Sequence, residues 1–472
     1  MGTDVTQRRR RNLIINAFAA TCALNIGSAH ADLSDPTVLA QLNPLEQLAA
    51  RADQAAYNAL TVAATPTGAP ICDPALGNQA PKTGPCTGNV FNLFSRLREL
   101  VQTADAIANL DTSRQFSLGL DAKGLGLALR STAPEEVAAL GTSSTEFSNS
   151  LFDGLESRIS ALRLKAHDLK LAANTTGYGD GSAYRPGRSP LGGAAGADGD
   201  SLASPWGGFV NGWSQHGHKN GTADSGGYED AFSLEGRAIT AGVDYRLNPH
   251  VVVGGIIGLS AKTIDFDSTQ GAFNGEFATN GSSLLTYGLW DSDQFYLSGS
   301  VGWQWLNNDF TRSIDYPSLN PLTPSIYEMA TSSTDSRALL ATLGAGYDAT
   351  LQGFTIEPYV KANYQRIKID AFTETGSHGF DLQYGEQRIT SLDGAIGLKL
   401  QRVFTPSFGV LVPYMRGDVH KEFDDKPRTI SAVYSALADV GLATAASVAF
   451  AIPTDQRDRT YGVIAAGVSM VM

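Results

Sequence analysis

Three short stretches of the chain carry residue types that could do chemistry. Gly199-Asp200-Ser201-Leu202 has the composition of a serine-nucleophile block. That chemistry needs the serine on a strand-to-helix turn, oxyanion donors nearby, and an acid and a histidine downstream. The preceding residues, Gly192 to Gly196, hold no apolar strand. No Asp-x-x-His is present between Asp32 and Ser204, ahead of the strand-like stretch, and the single histidine there is His167. His216 and His218 lie two apart on a loop or strand end, and no further metal ligands can be assigned to them. Arg416-Gly417-Asp418 has the composition of an integrin-binding tripeptide. It sits at the end of a predicted strand, Phe408 to Tyr414, where lumen or loop charge is the better reading. No phosphate loop, nucleotide fingerprint or catalytic triad is visible, so neither a cofactor nor enzymatic activity is expected.

The elements that would position any of these residues are dominated by the stretch from Trp206 to Met472. It reads as amphipathic strands of roughly ten residues, the period-2 signature of a transmembrane β-barrel. Ile239, Ala241, Val243, Tyr245 and Leu247 alternate with Thr240, Gly242, Asp244 and Arg246. Phe354, Ile356, Val360, Ala362 and Tyr364 face away from Thr355, Glu357, Lys361, Asn363 and Gln365. A soluble sandwich would alternate too, but would bury the apolar face and expose the polar one. The strand length favours the membrane barrel. So do aromatic strand ends such as Trp206, Trp213, Tyr245, Trp290, Tyr347 and Tyr364, which suit an interfacial girdle.

Composition narrows the partners. Mean hydropathy is −0.11, and past the amino terminus no apolar run is long enough for a spanning helix. That is the pattern of a barrel, whose apolar residues are interleaved with polar ones. A formal net charge of −12, with no basic patch in the body, excludes a nucleic-acid partner. Arg8 to Arg11, the apolar segment Asn12 to Gly27, and Ala29-His30-Ala31 read as a signal peptide, with the mature chain starting at Asp32. The two remaining cysteines, Cys72 and Cys86, are then expected to pair in an oxidising periplasm, and with no histidine near either a metal site is not expected.

Between Asp32 and about Leu171 the period changes to near 3.6. Asn43-Pro44-Leu45-Glu46 predicts a capped helix running to about Val62, and a second helix fits Val90 to Leu110. The disulfide would tie the loop between them. Thr132-Ala133-Pro134-Glu135 predicts a short helix ending near Gly141. Ser143-Ser144-Thr145-Glu146 is a further capping box, opening an amphipathic helix with Phe147, Leu151, Leu155, Ile159 and Leu162 on one face. From Asn174 to Ser204, Gly, Ala, Ser and Asp read as a flexible linker.

Signal peptide, exported region, amphipathic helix, flexible segment and carboxy-terminal barrel together resemble an autotransporter of the type V secretion class. The similarity covers roughly Ala133 to Met472. Its most family-like stretches are Ala133-Pro-Glu-Glu-Val-Ala-Ala-Leu-Gly141 running into Ser157-Arg-Ile-Ser-Ala-Leu-Arg163, the opening Trp206-Gly-Gly-Phe-Val-Asn-Gly-Trp213, and Gly242-Val-Asp-Tyr245 followed by Val253-Gly-Gly-Ile-Ile-Gly-Leu-Ser260. The resemblance implies an α+β chain with an antiparallel barrel of about twelve strands, a signal peptide over 1–31, a short helical exported region over 32–141, a pore helix over 142–173, a linker over 174–204 and the barrel over 205–472. It implies the outer membrane of a Gram-negative bacterium, with the lipid bilayer and the barrel assembly machinery as partners and an unknown surface ligand. It also implies that the helix around Glu146 to Leu171 plugs the pore, with Asp244, Arg246, Glu357 and Lys361 facing it.

Two features depart from the family pattern. Ten or eleven strands are countable, and the chain stops at Val468-Ser-Met-Val-Met472 in mid-strand, so the last strand or two are expected to be missing. The exported region is short and lacks a β-helix repeat, and the helix lacks adjacent asparagines for self-cleavage. A plugged or porin-like barrel with periplasmic helices is the runner-up. A surface esterase of the GDSL type is third, since some of those enzymes are autotransporters.

Overall fold

In the computed structural model the described residues are 32–62, 69–110, 114–134, 137, 140–163, 171–175, 187–189, 191–193, 205–219, 222–224, 227–229, 232–266, 275–292, 294–404, 410–424, 428–442, 449–453 and 460–471. The signal-peptide stretch, His167, Gly199 to Leu202 and most of the linker lie outside them.

Ten long strands form one antiparallel sheet in chain order: β1 (Trp206–Lys219), β2 (Phe232–Asn248), β3 (Val251–Phe266), β4 (Glu276–Asp291), β5 (Phe295–Tyr316), β6 (Ile326–Tyr347), β7 (Phe354–Ile369), β8 (Gln387–Arg402), β9 (Val410–Glu422) and β10 (Thr460–Val471). Linker segments add to both ends of this path. Gly187–Ser189 pairs with β1, and Leu171–Thr175 pairs with both β10 and Leu191–Gly193. The linker is therefore partly stranded.

Side-chain alternation runs the way a membrane demands. On β2, Ile239, Val243 and Leu247 are more than half exposed, while Thr240 and Asp244 are 4% exposed. The same inversion puts Ile257 and Leu259 of β3, Leu297 and Trp303 of β5, and Ile396 and Leu398 of β8 outside. Water would not tolerate so continuous an apolar outer wall, whereas lipid requires it. At one rim Trp206 packs on Tyr245, with ring centroids 4.8 Å apart, and Phe295 packs on Tyr347 at 4.7 Å. Trp290 is exposed beside them, whereas Tyr364 sits in mid-strand. Connections at this aromatic rim are short (249–250, 292–294), whereas those at the other rim are long (317–325, 370–386, 423–459). Short turns mark the periplasmic side of such barrels and long loops the exterior.

The exterior rim is covered. Helix α1 (Pro44–Thr61) opens on the reciprocal cap of Asn43 and Glu46, each donating its backbone N–H to the other's side chain at 2.9 Å. Helix α2 (Gly88–Ile107) follows a loop closed by a Cys72–Cys86 disulfide, with Cα atoms 5.2 Å apart. Helix α3 (Ala122–Thr132) was not expected: Gly124 and Gly126 sit inside it, each costing about 1 kcal/mol against alanine. Gly126 has a packing reason, because a Cβ there would lie 2.8 Å from the Glu46 carboxylate. The predicted cap at Thr132 is instead the last residue of α3. Its hydroxyl bonds Leu129 O and the Asp53 carboxylate, and most of the short helix expected after it lies outside the described residues.

These helices share one apolar core with a four-stranded sheet raised from the long loops: Phe372–Thr373, Leu382–Tyr384, Thr429–Tyr434 and Phe450–Pro453. Thr429–Tyr434 and Phe450–Pro453 are its last two strands, and the short helix Ser435–Asp439 follows the first of them. Four rings stack from barrel to cap sheet, Phe277 on Phe310, Phe310 on Phe372, and Phe372 on Tyr384. Helices and barrel are also tied by polar contacts. Arg312 on β5 pairs with Glu374 at 2.6 Å and donates to Ser131 O at the end of α3, and Arg96 on α2 pairs with Glu328 on β6.

Candidate functional site: the helix in the barrel lumen

Helix α4 (Leu140–Arg163) runs through the lumen. It begins before the predicted capping box, so Ser143 lies within the helix and does not start it. It is described to Arg163, and Leu171, expected as its last residue, is in a strand. Phe147, Leu151, Leu155, Ile159 and Leu162 are all buried, one contact face at helical spacing. The barrel wall makes room for them with glycine. A Cβ at Gly258 would sit 3.1 Å from Leu151 and 2.5 Å from Ser283, and one at Gly281 would sit 3.1 Å from Phe147.

The polar face of α4 is paired down its length. Near the exterior end the Ser148 hydroxyl donates to Gln304 at 2.8 Å, and Gln365 donates to Asn149 at 2.5 Å. In the middle, Glu156 accepts from Lys361 at 2.8 Å and from Arg416 at 2.6 Å. Arg158 binds Asp244 through Nε at 2.8 Å and Nη2 at 2.6 Å, and Tyr287 donates to the same carboxylate. Lys399 donates to Ser160 at 3.2 Å. At the periplasmic end Arg163 pairs with Glu357 at 2.7 Å and with Asp348, its guanidinium 3.5 Å from the Tyr296 ring centroid. Charges inside a narrow lumen are tolerable only when matched in this way.

Of the four lumen residues singled out in the sequence, Asp244, Glu357 and Lys361 touch α4. Arg246 shares the inward face of β2 but lies a turn too low, donating to Pro249 O in its own turn. Arg416, Gln304, Gln365, Tyr287, Lys399 and Asp348 were missed as helix partners. Alternation against the outward Met415 and Val419 would have placed Arg416, Asp418 and His420 in the lumen. Arg416 and Asp418 of the tripeptide thus face the interior while Gly417 faces out: Asp418 accepts from Tyr359 and bonds His420, which also bonds Asp393. His216 is exposed, 3.6 Å from Glu235, and among the described residues no group of three or more His, Cys, Asp or Glu side chains is placed to hold a metal ion.

Outward apolar faces, an aromatic rim and a charge-matched helix in the lumen define an outer-membrane β-barrel threaded by its own chain. The family model described as Autotransporter beta-domain matches residues 208–472, more than half of the chain, and the chain belongs to the autotransporter family. Such proteins reside in the Gram-negative outer membrane and export an amino-terminal passenger to the cell surface. The chain is 25% identical to Lipase 1 of Photorhabdus luminescens over 204 residues, which span 43% of this chain and 29% of that lipase. Among solved structures it is similar to the translocator domain of NalP from Neisseria meningitidis, at 14% identity and TM-score 0.39, covering 58% of this chain and 90% of that one. It is also similar to the β-domain of Bordetella BrkA, at 13% identity and TM-score 0.33, covering 57% and 99%.

Proposed function

We propose that this autotransporter exports a compact helical passenger, residues 32–132, and keeps it docked over the exterior mouth of its own barrel, with α4 left in the lumen as the plug. The direction of α4 carries the reading. Its amino-terminal half bonds Gln304 toward the long-loop rim, and its last residue bonds Asp348 and Glu357 beside the short turns. A chain passing inward along the lumen leaves everything upstream of α4 outside. The buried Arg312 contacts to Ser131 O and Glu374 then fasten that upstream part to the barrel's loops. The arrangement does not favour periplasmic helices. The lipid bilayer and the barrel assembly machinery are the partners this role needs, and the passenger acts as a non-enzymatic surface cap whose ligand is to be identified.

An epitope inserted between Thr65 and Pro81, in the loop joining α1 and α2, tests this in intact cells. Heat-modifiable gel migration reports that the barrel is folded. Antibody and added protease should both reach the tag. A folded barrel whose tag is reached only after the outer membrane is opened would refute export.

A further inference from the structure

The outer wall is apolar through its lower band and turns polar toward the exterior rim, where Glu235, Arg237, Asp309 and Asp335 are exposed and where β6, β7 and β8 carry four exposed cations in one cluster. Arg337 is the cross-strand partner of Lys368, and Lys368 is the partner of Arg388. Arg366 lies one step deeper, between Leu339 and Thr390. All four point outward, since Ser336, Gln365, Ile367 and Ile389 beside them are buried inward. Their height is the informative quantity. Arg337 pairs with Trp305, and ten residues separate Trp305 from Phe295 at the periplasmic aromatic rim. At about 3.3 Å per residue and a tilt of roughly 40°, that is about 25 Å, the full height of a barrel's apolar band. The cluster therefore stands where lipid headgroups of the outer leaflet begin. Below it the same face continues into Tyr364, Ala362, Val360 and Leu343.

Carboxylates satisfy only part of this charge. Lys368 bonds Asp370 and Glu386 at 2.8 Å each, and Arg388 bonds Glu386 at 2.7 Å. Among the described residues Arg366 has no ion-pair or hydrogen-bond partner. An arginine facing lipid at this depth is favoured where a phosphate group can receive its planar fork of donors. We propose that the outer face of β6 to β8 binds the phosphate groups of the outer-leaflet glycolipid, with Arg337, Arg366 and Arg388 as donors and Trp305 and Tyr364 against its upper acyl chains. The proposal rests on the exterior orientation argued above. Phosphate chemistry alone would equally suit a phospholipid, and it is the position at the exterior edge that selects the glycolipid.

Native mass spectrometry of the full-length protein in detergent tests it, using lipid A, lipid A with its phosphates removed, and phosphatidylglycerol as probes. Lipid A should bind at least tenfold more tightly than either comparison lipid. Substituting R337Q, R366Q and R388Q together should remove that preference, and R366Q alone should weaken it severalfold. R237Q, an exposed arginine on β2, should leave binding unchanged. Heat-modifiable migration of each variant reports barrel folding, so a failed barrel reading is distinguished from a failed binding site. Equal binding of dephosphorylated lipid A, equal binding of phosphatidylglycerol, or unchanged binding by both the triple variant and R366Q would overturn the assignment.

Discussion

The docking of the helical passenger should weaken as pH rises, and Asp53 is the cause. This carboxyl on α1 is fully buried between α3 and the cap sheet, where Tyr434 donates to one oxygen at 2.5 Å and Thr132 lies 2.9 Å from the other. Burial pushes its pKa up from 3.8 to about 7, against the pull of those two hydroxyls and of Arg312. The geometry agrees, because the Thr132 hydroxyl has one hydrogen and a second oxygen to satisfy, Leu129 O at 2.7 Å. A protonated Asp53 can donate to Thr132 and leave that hydrogen for Leu129. A folded pKa above the unfolded value means that the folded state holds the extra proton, so stability is greatest at low pH and falls as pH rises through about 7. At about 1.36 kcal/mol per unit, some 2 to 3 kcal/mol should be lost between pH 5 and pH 8. Asp53→Asn is neutral at every pH, with a carbonyl for Tyr434 and an amide for Thr132. Hydrogen exchange of α1 and α2 in the full-length protein, corrected for intrinsic rates, reads the difference. The protection that D53N gains over the parent should be larger at pH 8 than at pH 5 by those 2 to 3 kcal/mol, on the order of thirtyfold or more. Burial also raises Glu99 on α2 to about 7, so D53N should keep a shallower slope rather than none. An equal difference between the two proteins at both pH values would refute the reasoning.

Three further perturbations have readable outcomes. Asp244→Ala strands the buried Arg158 guanidinium and the Tyr287 hydroxyl, at about 3 to 5 kcal/mol, and should lower the temperature of the gel shift. The Arg158→Ala, Asp244→Ala pair should lose less than the two single changes summed, and strict additivity would argue against a direct pair. Replacing Cys72 and Cys86 with serine frees a loop of 14-residue separation, worth roughly 3 kcal/mol, and should speed proteolysis of the α1–α2 loop while the barrel's gel shift stays put. Gly258→Leu drives a side chain into Ser283 and Leu151, at about 1 to 3 kcal/mol, and should raise ion conductance in planar bilayers as α4 is displaced. An unchanged conductance would count against α4 as the plug.

What was legible in the sequence is what depends on near neighbours. Asn43 and Glu46 announce α1 because a cap is a contact across three residues. Ile239, Val243 and Leu247 announce the outer wall because strand sides alternate strictly. The α3 helix was hidden because Gly124 and Gly126 lower local propensity, and the packing that favours Gly126 comes from Glu46, some 80 residues earlier. The start of α4 was misplaced because Ser143 to Glu146 satisfy a capping pattern that a helix already formed upstream makes redundant. Alternation also gives the side of a strand but not its height, so it put Arg246 in the lumen without showing that α4 passes out of its reach.

The same distinction bears on how the passenger folds. Its buried polar anchor, Asp53, bonds Tyr434 across 381 residues, and Arg312 bonds Ser131 across 181. Neither contact can form until the β5 to β9 loops exist on the exterior side. Contacts of such sequence separation form late, after the loop-closure cost has been met by other structure. The helices' own caps and disulfide are local and can form early, but the core they share with Phe380, Tyr434 and Phe450 cannot. Barrel assembly and completion of the passenger core are therefore coupled. On the proposed export route, the helices lack their final core until the barrel's own loops provide the other half.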